Sequence, residues 1–188
     1  MSDHLSPEHR HACMSNNRSR NTRPELVMRR ELWRLGFRYR INDKRLPGSP
    51  DVVLPKYRTV IFVHGCFWHG HKECKLYSVP QTNTEFWVAK VSRNQERDQE
   101  VWRKLEAKGW SVIIVWECQL KKGNIDKTIG QVSDEILRNG EHYRLVQQER
   151  RQSKQAYLRE QKAKRQKERG LLEEVLSMSP SGFSSHRS

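Results

Sequence analysis

Val60-Ile-Phe-Val-His-Gly-Cys-Phe-Trp-His-Gly-His71 is the stretch on which the fold turns. Its first half is short, apolar and β-branched, as a strand buried on both faces reads. Its second half switches to histidine, cysteine, glycine and aromatics, so the strand ends in a loop dense with groups that bind metals or move protons. Just upstream, Leu46-Pro-Gly-Ser-Pro-Asp51 is rich in turn formers and delivers Asp51 to the start of Val52-Val53-Leu54. Pro55-Lys-Tyr-Arg58 turns the chain into Thr59-Val-Ile-Phe-Val63, which predicts a hairpin. A third apolar run, Trp110 to Trp116, leads into Glu117-Cys118, and residues 84–108 between them read as helix with a break expected near Ser92. An earlier helix opens at Thr22-Arg-Pro-Glu25 and ends at Gly36. Thr22 is its expected N-cap, Pro24 suits the first turn, and Glu25 sits at the capping-box position. Met28, Leu32 and Leu35 supply its apolar stripe. Helices on both sides of a small mixed sheet give a single α/β domain.

The 188-residue chain suits one compact domain plus appendages, and its net charge is +14. Residues 1–144 carry an excess of nine positive charges and residues 145–170 a further six, so the body is basic as well as the tail. A basic tail alone is often only a solvated charge run, whereas a basic body implies a polyanionic partner, nucleic acid first. No segment approaches the roughly 20 apolar residues of a membrane span, and the N-terminus lacks a basic-then-apolar secretory signal. A cytoplasmic location without membrane attachment is the expectation. Residues 1–20 read as a mobile arm or short helix, residues from about 144 to 170 as a charge-rich helix, and Ser177 to Ser188 as disordered.

In a reducing compartment, clustered cysteines point to metal rather than to disulfides. Cys66, His71 and Cys74 lie close in sequence, and Cys118 arrives at the end of another strand; together they offer the four donors of a closed structural zinc site. His69 is a rival fourth ligand on spacing alone, while Cys13 in the arm is left out. Asp51, where a turn meets a buried strand, is placed to hold Mg²⁺, although an ordinary turn aspartate would look the same. Asp98 shares a helix side with Val91, Val101 and Leu105 and has no Lys or Arg at i±3 or i±4. A carboxylate so placed needs another partner, for which a histidine is suited, unless it is simply exposed at a helix break. Glu25 is accounted for by its cap. His64 and His69 flank Cys66 in one loop. Phe67 and Trp68 are expected to protrude from that loop, and Phe86-Trp87 to begin the next helix; such aromatics can stack on bases, but core packing is expected for Phe86 and several tryptophans.

These residues together resemble the very-short-patch-repair (Vsr) endonucleases. The resemblance covers about residues 10–120 and rests on Arg23-Pro-Glu25, Leu46 through Asp51, Val60 through His71, Thr84 through Trp87, Arg93 through Asp98, and Trp110 through Cys118. It implies a restriction-endonuclease-like α/β fold and a strand-specific nick 5′ of the thymine in a T:G mismatch left by deamination of 5-methylcytosine. It further implies that Asp51 and the Val63 carbonyl bind Mg²⁺. His69, held by Asp98, is then the general base or orients the attacking water, and His64 and Glu25 reach waters on the metal. By the same resemblance Cys66, His71, Cys74 and Cys118 are the zinc ligands. Phe67, Trp68 and Trp87 form a wedge inserted at the mismatch from the major groove, with Met14 of the arm entering from the minor groove.

The expected division is then a DNA-contacting arm at 1–20, an endonuclease domain at 21–144 and a basic extension at 145–188 that binds DNA nonspecifically or holds a partner. Double-stranded DNA with a T:G mismatch is the expected partner, with mismatch-repair proteins as further candidates, the chain acting as a monomer close to the nucleoid. Val63 stands where the family often has Thr, and the extension matches nothing in the family core. Two other functions compete: a restriction-type nuclease of the same fold that cuts matched duplex, and a noncatalytic zinc protein that only binds DNA.

Overall fold

Thr22 stops the chain from running straight into the first helix, α1 (Arg23–Arg34), in the computed structural model, which describes residues 20–72 and 74–177. Its hydroxyl accepts from the Glu25 amide while the Glu25 carboxylate accepts from the Thr22 amide, the reciprocal cap expected from the sequence. Such a cap contributes about 1 kcal/mol. Met28 and Leu32 are fully buried, but Leu35, the C-cap residue beyond the last helical one, is 53% exposed.

The hairpin forms as the sequence implies. Strand β1 (Val52–Leu54) pairs antiparallel with β2 (Thr59–His64), Val53 opposite Val60. Strand β3 (Ser111–Trp116) joins the other edge of β2 in parallel, Phe62 opposite Ile114, which makes a three-stranded mixed sheet in the order β1-β2-β3. A parallel partner needs a long crossover, supplied here by α2 (Thr84–Ala107). That helix is unbroken. Ser92, where a break was expected, directs its hydroxyl to Glu96 one turn on and leaves the backbone helical.

Alternation along the strands makes two cores. Val52, Leu54, Ile61, Ile113 and Val115 face Met28 and Leu32 of α1 and Ile129, Val132 and Ile136 of α3 (Ile125–Ser177). Val53, Val60 and Phe62 face Leu105 of α2 and Trp110 on the other side. Helix α3 can lie close because of Gly140, where a Cβ would come within 2.6 Å of the Tyr57 ring. The chain divides into two units, one ending at Tyr143 and the other beginning at Arg144. In the second unit every residue from Arg150 to Glu174 except Gln161 is exposed. Among the described residues no helix is long and apolar enough to cross a membrane.

Candidate active site and metal-binding loop

The sheet's architecture brings its chemistry to one end. Asp51 precedes β1, His64 ends β2, and the loop that follows crosses to α2, where Asp98 waits. They line one open cleft of about 790 Å³ together with Glu25, His69 and Glu117.

His69 Nδ1 and Asp98 Oδ2 are 2.5 Å apart. Since a carboxylate can only accept, the imidazole donates from Nδ1, and its Nε2 carries the lone pair. Burial pushes the Asp98 carboxyl up, but the hydrogen bond from His69 and the charges of His69, His64 and Arg97 outweigh it and leave it below its usual range. Asp98 therefore holds His69 as an anion. Arg97 lies 3.5 Å from its other oxygen, a pairing that helical spacing does not suggest, since neighbours in sequence seldom face each other on a helix.

His64 lies flat on His69, ring centroids 3.7 Å apart and planes 15° from parallel, with Trp102 stacked beyond and Trp116 edge-on. Its Nδ1 is buried without a hydrogen-bond partner among the described residues. Burial, and next the adjacent His69 charge, press its pKa down to about 4, so His64 is neutral near pH 7. An orphaned ring nitrogen costs about 1–3 kcal/mol, a cost tolerated where a polar group arrives with substrate.

Asp51 accepts from the Val63 amide at Oδ2, 2.8 Å, and no other described residue donates to this carboxylate. Burial and the Glu25 charge raise its pKa to about 6, against the Val63 hydrogen bond and the charges of Arg29 and His69. A desolvated acid with too little counter-charge suits a hard divalent cation. His64, His69 and Asp98 bring donor atoms within 4.8 Å of one another, a group that Asp51 does not join. Glu25 is heavily engaged: its carboxylate takes the Thr22 hydroxyl and the Asn21 amide and pairs with buried Arg29 at 2.9 Å.

The second cluster lies behind the loop. Cys66, His71, Cys74 and Cys118 place four donor atoms within 4.8 Å of one another, a set able to hold one metal ion; His69 is not among them. His71 Nδ1 faces Cys66 Sγ at 3.5 Å and Cys118 Sγ at 3.4 Å, and its ring stacks on Trp116 at 4.1 Å. Burial pushes the Cys66 thiol up to about 12 and raises that of Cys118, while the Leu76 amide lowers that of Cys74. Three thiols and one imidazole converge in a half-buried pocket as a set of soft and borderline donor atoms. Their chemistry fits a borderline-soft metal.

What holds the loop in register was not legible beforehand. Gln95 donates to the His69 carbonyl at 3.0 Å and Asn94 to the Trp68 carbonyl at 2.8 Å. Gly70 lets the loop press onto α2: its φ is +63°, and a Cβ there would meet Gln95 and Val91 at 2.6 Å. The signal was present, since Asn94 and Gln95 lie one turn before Asp98 on the same side. On the loop's outer side the rings of Phe67, Trp68 and Trp87 make a mutual edge-on cluster, centroids 5.2–6.0 Å apart. All three are half-buried. Phe86, expected in the core, is 54% exposed, like the other residues of the first turns of α2 except half-buried Trp87. Met14 and Cys13 lie outside the described residues.

The family model described as DNA mismatch endonuclease Vsr matches residues 2–76. The chain is 48% identical over 120 residues to Type II nicking enzyme V.XorIIP of Xanthomonas oryzae pv. oryzae, covering 64% of this chain and 88% of that one. It is 42% identical over 141 residues to Type II nicking enzyme V.NmeAIP of Neisseria meningitidis, covering 72% of this chain and all of that one. It is 52% identical over 86 residues to DNA mismatch endonuclease Vsr of Escherichia coli, 46% of this chain and 54% of that protein. A mixed α/β scaffold with a cleft of this kind and these relatives is that of a DNA endonuclease. The chain belongs to the Vsr family.

Proposed function

We propose that this endonuclease nicks one strand of duplex DNA 5′ of the thymine in a T:G mismatch, in a Mg²⁺-dependent reaction on a restriction-endonuclease-like fold. The observation that carries this is the His69–Asp98 hydrogen bond opening onto the same cleft as Asp51. Asp98 fixes the tautomer in which Nε2 of His69 is basic. His69 takes a proton from water as the oxygen attacks phosphorus, and the 3′ oxygen of the neighbouring nucleotide leaves. Asp51 and the Val63 carbonyl are the residues that would hold Mg²⁺, which supplies charge stabilisation at the phosphate. Only the carbonyl of Val63 is asked to act, so a side chain without a hydroxyl suffices. His64, which lines the cleft, and Glu25, which adds negative charge close to Asp51, are the residues we assign to waters on the metal.

Zinc is the metal we assign to Cys66, His71, Cys74 and Cys118, where it ties the loop to the end of β3. Phe67, Trp68 and Trp87 are the wedge. A mispaired step is easier to unstack than a matched one, so insertion of rings turns its weakness into recognition. An oriented histidine has no use in a protein that only binds DNA, and a ring cluster beside the cleft has little in a nuclease for matched duplex.

The test is a nicking assay on duplexes that differ at one pair, T:G, C:G or T:A, with and without Mg²⁺. Nicking of the thymine strand of T:G alone, with Mg²⁺ alone, is expected. Equal cutting of all three would establish the restriction-type reading, and tight T:G binding without any nick the noncatalytic one.

A further inference from the structure

Among the described residues of the second unit none is buried, yet its helix carries charge in an ordered way. At 100° per residue, Arg151, Lys154, Arg159, Lys162 and Arg165 fall within a sector about 140° wide, while Glu160 lies roughly opposite. All five cations are exposed. Arg151, Lys154, Arg159 and Lys162 have no acid three or four residues away. They have each other instead: Arg151 sits three residues from Lys154, Arg159 three from Lys162, and Lys162 three from Arg165. Like charges at that spacing destabilise an isolated helix. On the far side, Glu160 pairs with Lys164 at 2.9 Å in the arrangement that stabilises one. A helix with mutual repulsion along one face and pairing on the other gains stability when a polyanion lies on the repelling face.

We infer that this stripe is a docking surface for the phosphate backbone of duplex DNA, added to the mismatch endonuclease to hold it on DNA of any sequence. Charge complementarity selects the occupant, and the chain's own substrate is the polyanion it must meet. Arg151 to Arg165 spans about 21 Å along the helix axis, a length over which a DNA strand presents several phosphates. Between Arg151 and Arg165 the sector holds five cations against a single amide, Gln155, and no aromatic ring, so phosphate contact dominates and its contribution is chiefly affinity rather than sequence preference.

Two full-length double variants that remove equal charge separate a stripe from mere basicity. Arg151→Gln with Lys162→Gln empties the stripe; Lys164→Gln with Lys167→Gln removes two charges from the opposite side. Binding to a 30-base-pair matched duplex is measured across a salt series, with phosphatidylserine vesicles and single-stranded RNA as parallel probes. The stripe pair should make the salt slope shallower by about 1.8, with saturated nicking rate on T:G duplex unchanged, while the control pair changes the slope little. Circular dichroism should show helix content retained or raised in the stripe pair, since repulsion is relieved. Equal slopes for the two variants overturn the stripe in favour of net charge. An unchanged duplex slope with lost binding to vesicles or RNA overturns DNA as the occupant. Because the readout is binding to matched duplex, a failure here leaves the mismatch reading standing, and a failure of that reading leaves this one.

Discussion

Burial favours the neutral form of both Asp51 and His64 and so shifts their pKa values in opposite directions, with a measurable consequence. Asp51 binds its proton up to about pH 6 in the folded protein, against the ordinary value of 3.8. Between those pH values the folded state holds the proton more tightly than the unfolded one, so this group favours folding at low pH and loses that advantage as pH rises through 6. His64, with its pKa pressed from 6.5 to about 4, does the reverse: its neutral burial favours folding above 6.5 and that advantage is lost as pH falls towards 4. Each shift is on the order of 3 kcal/mol, so the two slopes nearly cancel in the parent protein. Asp51→Asn removes one of them. The variant is expected to be more stable than the parent at pH 7, by up to about 3 kcal/mol, to lose stability steeply from pH 6.5 down to 4, and not to nick. Denaturant unfolding at several pH values reads the first two, and a T:G duplex the third. Mg²⁺ should raise the Tm of the parent and not of the variant. A variant that nicks normally would remove Asp51 from the reaction.

At the scale of elements, what was legible followed from period and chemistry. The short, continuous apolar and β-branched runs at Val52–Leu54, Thr59–Val63 and Trp110–Trp116 gave the strands, and Thr22 with Glu25 gave the start of α1. The local Cys66, His71 and Cys74 spacing gave the metal-binding loop, whereas the choice of His71 over His69 did not follow from spacing; it came from the family resemblance, and the fold agrees by turning His69 towards Asp98. Three features were hidden because they depend on where elements end. Leu35 falls past its helix, Phe86 lies in the exposed first turns of α2, and that helix runs through Ser92 where a polar residue suggested a break. Two predictions belong here. With zinc on the four donors as proposed, the parent should carry one zinc per chain, and Cys118→Ser, which removes one donor, should lose it and become poorly folded; active parent protein free of zinc by elemental analysis would sink the assignment. Trp68→Ala removes a ring worth roughly 1–3 kcal/mol of base stacking. That loss should fall on T:G duplex and shrink its binding ratio over C:G, because intact duplex resists insertion. A destabilised variant with an unchanged ratio would show the ring to be packing alone.

Across the whole molecule, charge and shape divide the labour of finding a site. The basic body and the extension share the net charge of +14, but only the body carries the cleft and the ring cluster. Electrostatic attraction to phosphates is the same for every sequence and falls steeply with salt, whereas ring insertion depends on the step being deformed and hardly on salt. Removing residues 145–188 takes away a net charge of five and none of the groups in the cleft. Affinity should therefore fall by a common factor on T:G, C:G and T:A duplexes, and the salt slope should become shallower. The preference for T:G should stay as it was, and so should the nicking rate at saturating DNA. Parallel titrations of the shortened and full-length chains on the three duplexes at two salt concentrations measure all of this. An unchanged salt slope would show that the extension does not touch DNA. A changed T:G/C:G ratio would instead show that it takes part in reading the mismatch, its arginines or lysines then reaching base edges as well as phosphates.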